Sequence, residues 1–457
     1  MEASAHALKE AVKAHNLIRQ IADNTFSGRV YLVGGAIREI LLEKTPSDYD
    51  LVLTDGNDLQ VLERTFKRPS FVLGKKPIRT YRIVSDDASV DITFADGSIE
   101  DDLKRRDFTM NAIACDLKTC AVIDVVDGMG DIERKLIRYP AKESIADDPL
   151  RMLKAIRHFA TLEGFALETG LVRSIGEMKH RILDAAAERI KYEMDRIIIA
   201  SGVAEGLRML DETGLLFEIF PELSALRRLD VEKQFLLETL GHTLDGFRFF
   251  HRYNADLHLT DETLRNVGYA FLFHDLGKAH TFSYDEQKNL VHFFYHERFS
   301  TEIATRIMER LRFSTHEIRT VLAIVEHHMR IFLISSDEPT EKALRRIVYK
   351  MADLTPSLIL HTLCDMYGSS GGTDNPSTAQ VKQCCEEVLR VYGKSLEEPL
   401  PRLLNGEDLK RLGFVQGPSI GRCLADIREK QITGEMEDRG QALMYAQTFL
   451  EAMQGAQ

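Results

Sequence analysis

Residues 30–53 read VYLVGGAIREILLEKTPSDYDLVL. Residues 29–33 are β-prone, Gly34-Gly35 ends the run, and residues 36–42 resume helical spacing. With no side chains at Gly34 and Gly35, backbone N–H groups at the helix start can approach a triphosphate, and Arg38 one turn later adds positive charge. Asp48-Tyr49-Asp50 then opens a second strand. Side chains two apart on a strand share a face, so both carboxylates can meet one divalent cation. Mg²⁺, which takes one or two carboxylates plus substrate phosphates, suits them. A diglycine alone usually marks only a turn, and Asp-x-Asp recurs by chance. The order strand, diglycine, Arg38, nine residues, then paired acids on a strand is much more specific.

Working outward, residues 5–25 read as an amphipathic helix carrying Leu8, Val12, Leu17, Ile18 and Ile21. Residues 71–73, 80–84 and 90–94 read as short strands, and 110–116 and 121–126 as strand or helix. Beyond residue 145 the pattern changes. Segments of 3.6-residue periodicity cover 149–163, 168–180, 187–200, 203–213, 230–250, 261–275, 297–311, 315–329, 340–353 and 376–392, with little strand signal after 150. Residues 370–376 (SGGTDNP) read as a mobile loop. No fixed-period repeat is visible. The pattern predicts an α+β fold: a small mixed β-sheet head followed by an elongated all-α body.

Composition narrows the classes. A chain of 457 residues suggests several domains, and only 12 Pro and 29 Gly speak against low-complexity or turn-rich all-β proteins. The longest apolar runs, such as 269–273, are far shorter than the ~20 residues of a membrane span. The first residues have no apolar core of a signal peptide, so a soluble, cytoplasmic protein without membrane partners is expected. Six cysteines without C-x-x-C spacing read as reduced, structural thiols. The net charge of −12 gives no sign of nucleic-acid binding. Residues 104–196, with 17 Lys and Arg against 16 Asp and Glu, carry +1 and the remainder −13. The case for a partner therefore rests on motifs.

The order in residues 30–53 resembles the nucleotidyltransferase head of the polymerase-β superfamily. Lys104-Arg105-Arg106-Asp107-Phe108-Thr109-Met110-Asn111-Ala112 resembles the RRDFT-x-NA motif of the class II tRNA nucleotidyltransferase and bacterial poly(A) polymerase family. Asp124 to Gly130 with Arg138 is similar to the family's next motif, Asp147-Asp148-Pro149-Leu150-Arg151 to its EDxxR nucleotide-recognition helix, and Ala187-Glu188-Arg189-Ile190 to its ERI helix.

The resemblance implies that Asp48 and Asp50 hold a catalytic Mg²⁺. Asp91 is then the third carboxylate of the superfamily or, alternatively, a strand-edge surface acid. It further implies that Arg106, Asp107 and Asn111 hold ribose and phosphates. Asp148 and Arg151 become an amino-acid template for the Watson–Crick edges of cytosine and adenine. Arg157 and Arg189 complete the expected nucleotide-binding set, with Gly34, Gly35 and Arg38. Without the resemblance, Pro149 suits the first turn of a helix, Asp147 or Asp148 its cap, and Asp148 with Arg151 an i,i+3 ion pair.

The sequence departs from the family pattern at Glu39 (usually Asp), Asp147 (usually Glu) and Lys154 (often Arg). Charge is kept at each, so base selectivity is touched more than catalysis. Many members that complete CCA carry a longer element where this chain has the short segment 91–106, so the resemblance leaves CC-adding or A-adding activity alone open beside full CCA addition.

In the body, Phe271-Leu272-Phe273-His274-Asp275-Leu276-Gly277-Lys278 resembles the HD phosphohydrolase motif. With His242 upstream and His296, His327 or His328, and Asp365 downstream, the order is H…HD…H…H…D. Imidazole and carboxylate together suit a divalent ion, so His242, His274, Asp275 and Asp365 are expected to hold a second metal. Singly, each such His is more often a hydrogen-bonded core residue.

The implied division is a nucleotidyltransferase head (1–145), a helical nucleotide- and RNA-binding neck (146–228), an HD-type domain (229–370) and a C-terminal helical RNA-binding tail (371–457). The implied activity is template-independent addition of C and/or A to the 3′ end of tRNA from CTP and ATP, with phosphohydrolase activity at the HD site. Two alternatives remain: a poly(A) polymerase, although residues 74–82 lack a clear basic-aromatic signature, and an HD phosphohydrolase with a vestigial head. A non-catalytic RNA-binding role is disfavoured because paired acids repel phosphate. The sequence carries no clear oligomer signal.

Overall fold

The computed structural model describes residues 2–73, 79–85, 88–141, 143–233, 238–336 and 338–455. The chain divides into two compact units, 1–219 and 220–457. The first unit opens with seven strands: β1 (Val30–Val33), β2 (Asp48–Leu53), β3 (Phe71–Leu73), β4 (Thr80–Val84), β5 (Ser89–Phe94), β6 (Ile113–Asp116) and β7 (Val122–Asp124). They form one sheet in the order β3-β4-β5-β2-β1-β6-β7. Only the β2/β5 pair is parallel, which makes the sheet mixed.

Alternation along β2 sorts the two faces. Leu51 and Leu53 are buried on one side, where the Tyr49 hydroxyl donates to Pro46 O (3.0 Å) and meets His15 Nε2 (3.0 Å). Asp48, Asp50 and Val52 point to the other side. There Tyr31, Val33, Val52 and Ala114 pack with Ile99 and Leu103 of the Ile99–Lys104 helix. The carboxylates thus sit where the apolar part of one sheet face gives way to charge.

The Arg151–Thr161 helix buries Met152, Leu153, Ala155, Ile156 and Ala160, an i, i+3, i+4 stripe, and packs with the Ala187–Ile198 helix. The second unit is helical around the Asp261–Phe273 and Thr355–Ser369 helices. It ends in a smaller core of Leu409, Phe414, Cys423, Ile427, Ala442 and Ala446. All six cysteines are free, and no described helix is long and apolar enough to cross a membrane.

Several expectations need correction. The helix over 5–25 is two, Glu2–Ala14 and Asn16–Ala22, broken at His15, whose backbone is extended. The span 230–250 is not one helix: described helices end at Glu232 and restart at Thr239 and Phe250, and residues 234–237 lie outside the described set. The body also contains an antiparallel hairpin, Phe282–Asp285 with Leu290–Phe293, and a two-residue strand Ala166–Leu167. Alternating aromatic and β-branched residues around a turn, in which Asp285 Oδ1 accepts from Gln287 N and Lys288 N, account for the hairpin. Of residues 74–82, those from 74 to 78 lie outside the described set.

Candidate functional site

The site of the first unit is built across three strands. Asp50 lies opposite Asp91 in the β2/β5 pair, and Asp91 lies opposite Arg82 in the β5/β4 pair, so all three side chains share one face with Asp48. Burial, and the nearby charges of Asp91, Asp107 and Asp48, push the Asp50 carboxyl up to about 6 against the pull of Arg106. Asp48 is exposed at the strand's start. Asp91 is held by a guanidinium fork: Arg82 Nε to Oδ1 and Arg82 Nη2 to Oδ2, both 2.6 Å. Arg82 escaped the sequence reading. Its signal lay in the strand register, which places Arg82 opposite Asp91 and which the sequence does not print.

Gly34 and Gly35 differ. Gly34 has φ +78°, and a Cβ there would lie 2.5 Å from Asp50 Oδ2 and 3.2 Å from Arg106 Nη1. Glycine is therefore required twice, by the backbone and by the carboxylate packed on it. Gly35 begins the Gly35–Leu41 helix, and its Cβ would meet only the Arg38 side chain, at 3.4 Å.

Arg38 is buried and donates to Asn111 Oδ1, while Asn111 Nδ2 donates to Asp107 Oδ1 at 3.0 Å. Burial lowers the pKa of Arg38, and its Nε has no partner among the described residues. Arg106 donates through Nε to Asp102 Oδ2 at 3.1 Å. This loop is held from behind by residues 124–138. Thr109 Oγ1 donates to the fully buried Asp131 (2.6 Å), which also accepts from Arg134 and Arg138. A Cβ at Gly128 would fall 2.1 Å from Thr109 O, so that glycine lets the two segments touch. Asp131 is a second residue the sequence reading passed over.

Asp148 and Arg151 do not pair with each other. Asp148 Oδ2 accepts from Arg189 Nη2 (3.0 Å) and its Oδ1 from Leu150 N (3.2 Å). Arg151 donates to the carbonyls of Arg105 (2.9 Å), Arg106 (3.3 Å) and Ser144 (3.4 Å). The regular helix starts at Arg151 after Leu150, and Asp148, extended and accepting from Leu150 N, makes the capping contact one turn earlier, as expected of Asp147 or Asp148. Asp147 ends the short Ser144–Asp147 helix instead. Arg157 donates through Nε to buried Glu193 (2.7 Å), and Lys154 lies 3.9 Å from Asp107. Arg189, about half exposed, is the more open of these cations.

The second unit gathers five buried imidazoles. His242, His274, His296 and His328 each direct Nδ1 at a backbone carbonyl (Glu238, Phe271, Phe293 and Val325, 2.6–2.8 Å). That bond fixes the tautomer and aims each Nε2 inward. His242 Nε2 stands 3.2 Å from Asp275 and 3.3 Å from Asp365, and His274 Nε2 stands 3.1 and 3.7 Å from the same acids. His296 Nε2 is 3.4 Å from Asp275 and 3.0 Å from His328 Nε2. Of the pair left open in the sequence, His328 joins the cluster and His327 does not; it accepts from Arg330.

Burial opposes charge on His242 and His274, yet the two acids hold these imidazoles up at about 10 and about 9, while burial drives His328 down to about 3. His242 Nε2, His274 Nε2 and Asp275 Oδ1 meet no hydrogen bond of good geometry among the described residues, the condition of a ligand set rather than a finished network. His361, also fully buried beside His274, and Lys278, with Nζ 2.6 Å from Asp275 Oδ2, were missed. Lys278 was legible as the residue at i+3 from Asp275 on the same turn.

Comparison with known proteins gives three matching family profiles: the Poly A polymerase head domain over residues 30–138, the "probable RNA and SrmB- binding site of polymerase A" over 164–226, and the HD domain over 239–367. The chain is 32% identical to the CC-adding tRNA nucleotidyltransferase of Thermus thermophilus, covering 90% of this chain and 91% of the relative. It is 28% identical to the A-adding tRNA nucleotidyltransferase of Deinococcus radiodurans, covering 93% and 96%. Among solved structures, the Bacillus stearothermophilus CCA-adding enzyme in complex with CTP matches over all of both chains, with a TM-score of 0.64 at 21% identity, a likeness of fold.

Proposed function

The chain belongs to the class II tRNA nucleotidyltransferase and bacterial poly(A) polymerase family, and on that footing we propose that it adds C and/or A to the 3′ end of tRNA from CTP and ATP without a nucleic-acid template. One observation carries the chemistry: a half-buried carboxylate, Asp50, pressed against a side-chain-free backbone at Gly34 and flanked by Asp48 and Asp91. A carboxyl raised by crowding with other acids fits a divalent cation, and Asp48 and Asp50 are the residues to hold Mg²⁺, with Asp91 beside them. When bound, such an ion neutralises triphosphate charge and acidifies the attacking ribose hydroxyl.

The chain's own residues do the rest. The backbone N–H groups at the start of the Gly35–Leu41 helix serve as donors to phosphates. Arg38, Asn111 and Asp107 form one hydrogen-bonded line that orients ribose and phosphate donors. Asp148 and Arg151, with Arg189 and Arg157 around them, supply one acceptor and one fork of donors for a base edge. Arg151 is also tied to the carbonyls of Arg105 and Arg106, which links base reading to phosphate holding. At the HD site, His242, His274, Asp275 and Asp365 fit a divalent ion, whose chemistry when bound is activation of water toward a phosphoester. We keep 1–145, 146–228, 229–370 and 371–457 as the proposed functional division, and the cytoplasm as the proposed place of action.

The test uses tRNA transcripts lacking CCA, or ending after the first C, the second C or the final A. Each is incubated with CTP, ATP or both. Addition of defined C or A residues only to tRNA ends is expected, and its length separates CC, A and CCA activity. Long A tails on general RNA, or no addition, would reject the reading.

A further inference from the structure

Arg82 and Asp91 form the outer part of a charged row whose inner member is Asp50. The two bonds from Arg82 occupy both oxygens of Asp91. A cation shared between Asp50 and Asp91 needs a lone pair on one of those oxygens, where it meets the guanidinium's positive charge on the same carboxylate, so ion and guanidinium oppose each other there. The fork is open enough to exchange, with side chains 36% and 25% exposed. No other described cation is bonded to the row: Arg106, the nearest to Asp50, is bonded to Asp102. Without Arg82, Asp48, Asp50 and Asp91 would face one another with little compensation.

We propose that Arg82 is a latch on the third carboxylate: it holds Asp91 while the metal position is unfilled and competes with a divalent cation for it. This rests on the reading above, that Asp48 and Asp50 hold the ion. Arg82 is thus a positioning residue, acting through Asp91. Binding of metal in the head then loosens the fork between Asp91 and Arg82, and by linkage anything that weakens the fork strengthens the ion. A merely structural ion pair has the opposite signature, loss of stability with no gain in metal affinity.

Mn²⁺ binding to the full-length protein without nucleotide, followed by the electron paramagnetic resonance of the free ion, tests this. Each protein is compared with its Asp50→Asn counterpart, so that ions at the HD cluster cancel and the difference is the head site. Arg82→Gln is expected to tighten that site about fivefold, the size of an exposed ion pair of good geometry, and Arg82→Lys, which keeps charge but loses the fork, to fall between. Unchanged affinity in both variants would mean a structural pair and overturn the latch. Weaker binding would mean that Arg82 orients Asp91 as a ligand, and would overturn it too. If Asp50→Asn removes no Mn²⁺ from the wild-type protein, the metal assignment itself falls, and the latch with it.

Discussion

Asp50 is the residue on which most depends, and its environment sets two opposed demands. Its carboxyl is raised to about 6 in the folded chain, above the usual unfolded range, so the folded state binds more protons between about pH 4 and pH 6. The metal-free protein therefore loses stability as pH rises through that window, by up to about 3 kcal/mol from this group. Asp50→Asn should abolish nucleotide incorporation yet raise stability by about 1–3 kcal/mol at pH 7.5 in chelator, an increase that disappears near pH 4. Thermal melts at the two pH values check this. A second contrast lies next door. Gly34→Ala should cost about 1–3 kcal/mol and most of the activity, because φ +78° and the Asp50 oxygen both exclude a methyl group. Gly35→Ala, which meets only the movable Arg38 side chain, should retain substantial activity. The sequence presented these glycines as equivalent; only the backbone angle and the approach of a side chain from another strand separate them.

Among the elements, the Arg151–Thr161 helix joins two tasks. Asp148 faces Arg189 from the Ala187–Ile198 helix, and Arg151 reaches back to the loop that carries Arg106. Replacing both Asp148 and Arg151 by Ala should blur the CTP/ATP preference, read as the ratio of kcat/KM values, more than it raises KM for either triphosphate. Preserved selectivity would place base reading elsewhere. Much at this scale was legible from periodicity: the strands of the head and the helices after residue 150 follow alternation and 3.6-residue spacing. The hairpin at Phe282–Asp285 and Leu290–Phe293 was not, since short aromatic runs between helices satisfy either period. Nor was the partner of Asp148: proximity along the chain suggested Arg151, and packing of a distant helix supplied Arg189.

For the molecule as a whole, the two compact units carry separate candidate sites, the carboxylate row in residues 1–219 and the imidazole cluster in 220–457. His274→Ala should leave C or A addition within about twofold of wild type while lowering the bound divalent metal measured by elemental analysis, as additivity expects of sites that act independently. Loss of addition would instead mean that the cluster supports folding of the chain. The sequence by itself determined the family and the α+β order of head and helical body, and it offered most of the candidate acids, arginines and histidines, though not Arg82, Asp131 or His361. Those follow from local rules, in which residue type and spacing fix which side chains share a face. Only the tertiary structure decided how they are engaged: that Asp50 packs against Gly34, that Arg82 holds Asp91, that Arg151 bonds carbonyls rather than Asp148, and that His328 rather than His327 joins the cluster. Strand register and helix packing set these pairings, and both depend on contacts between residues far apart in the chain, which spacing along it does not encode.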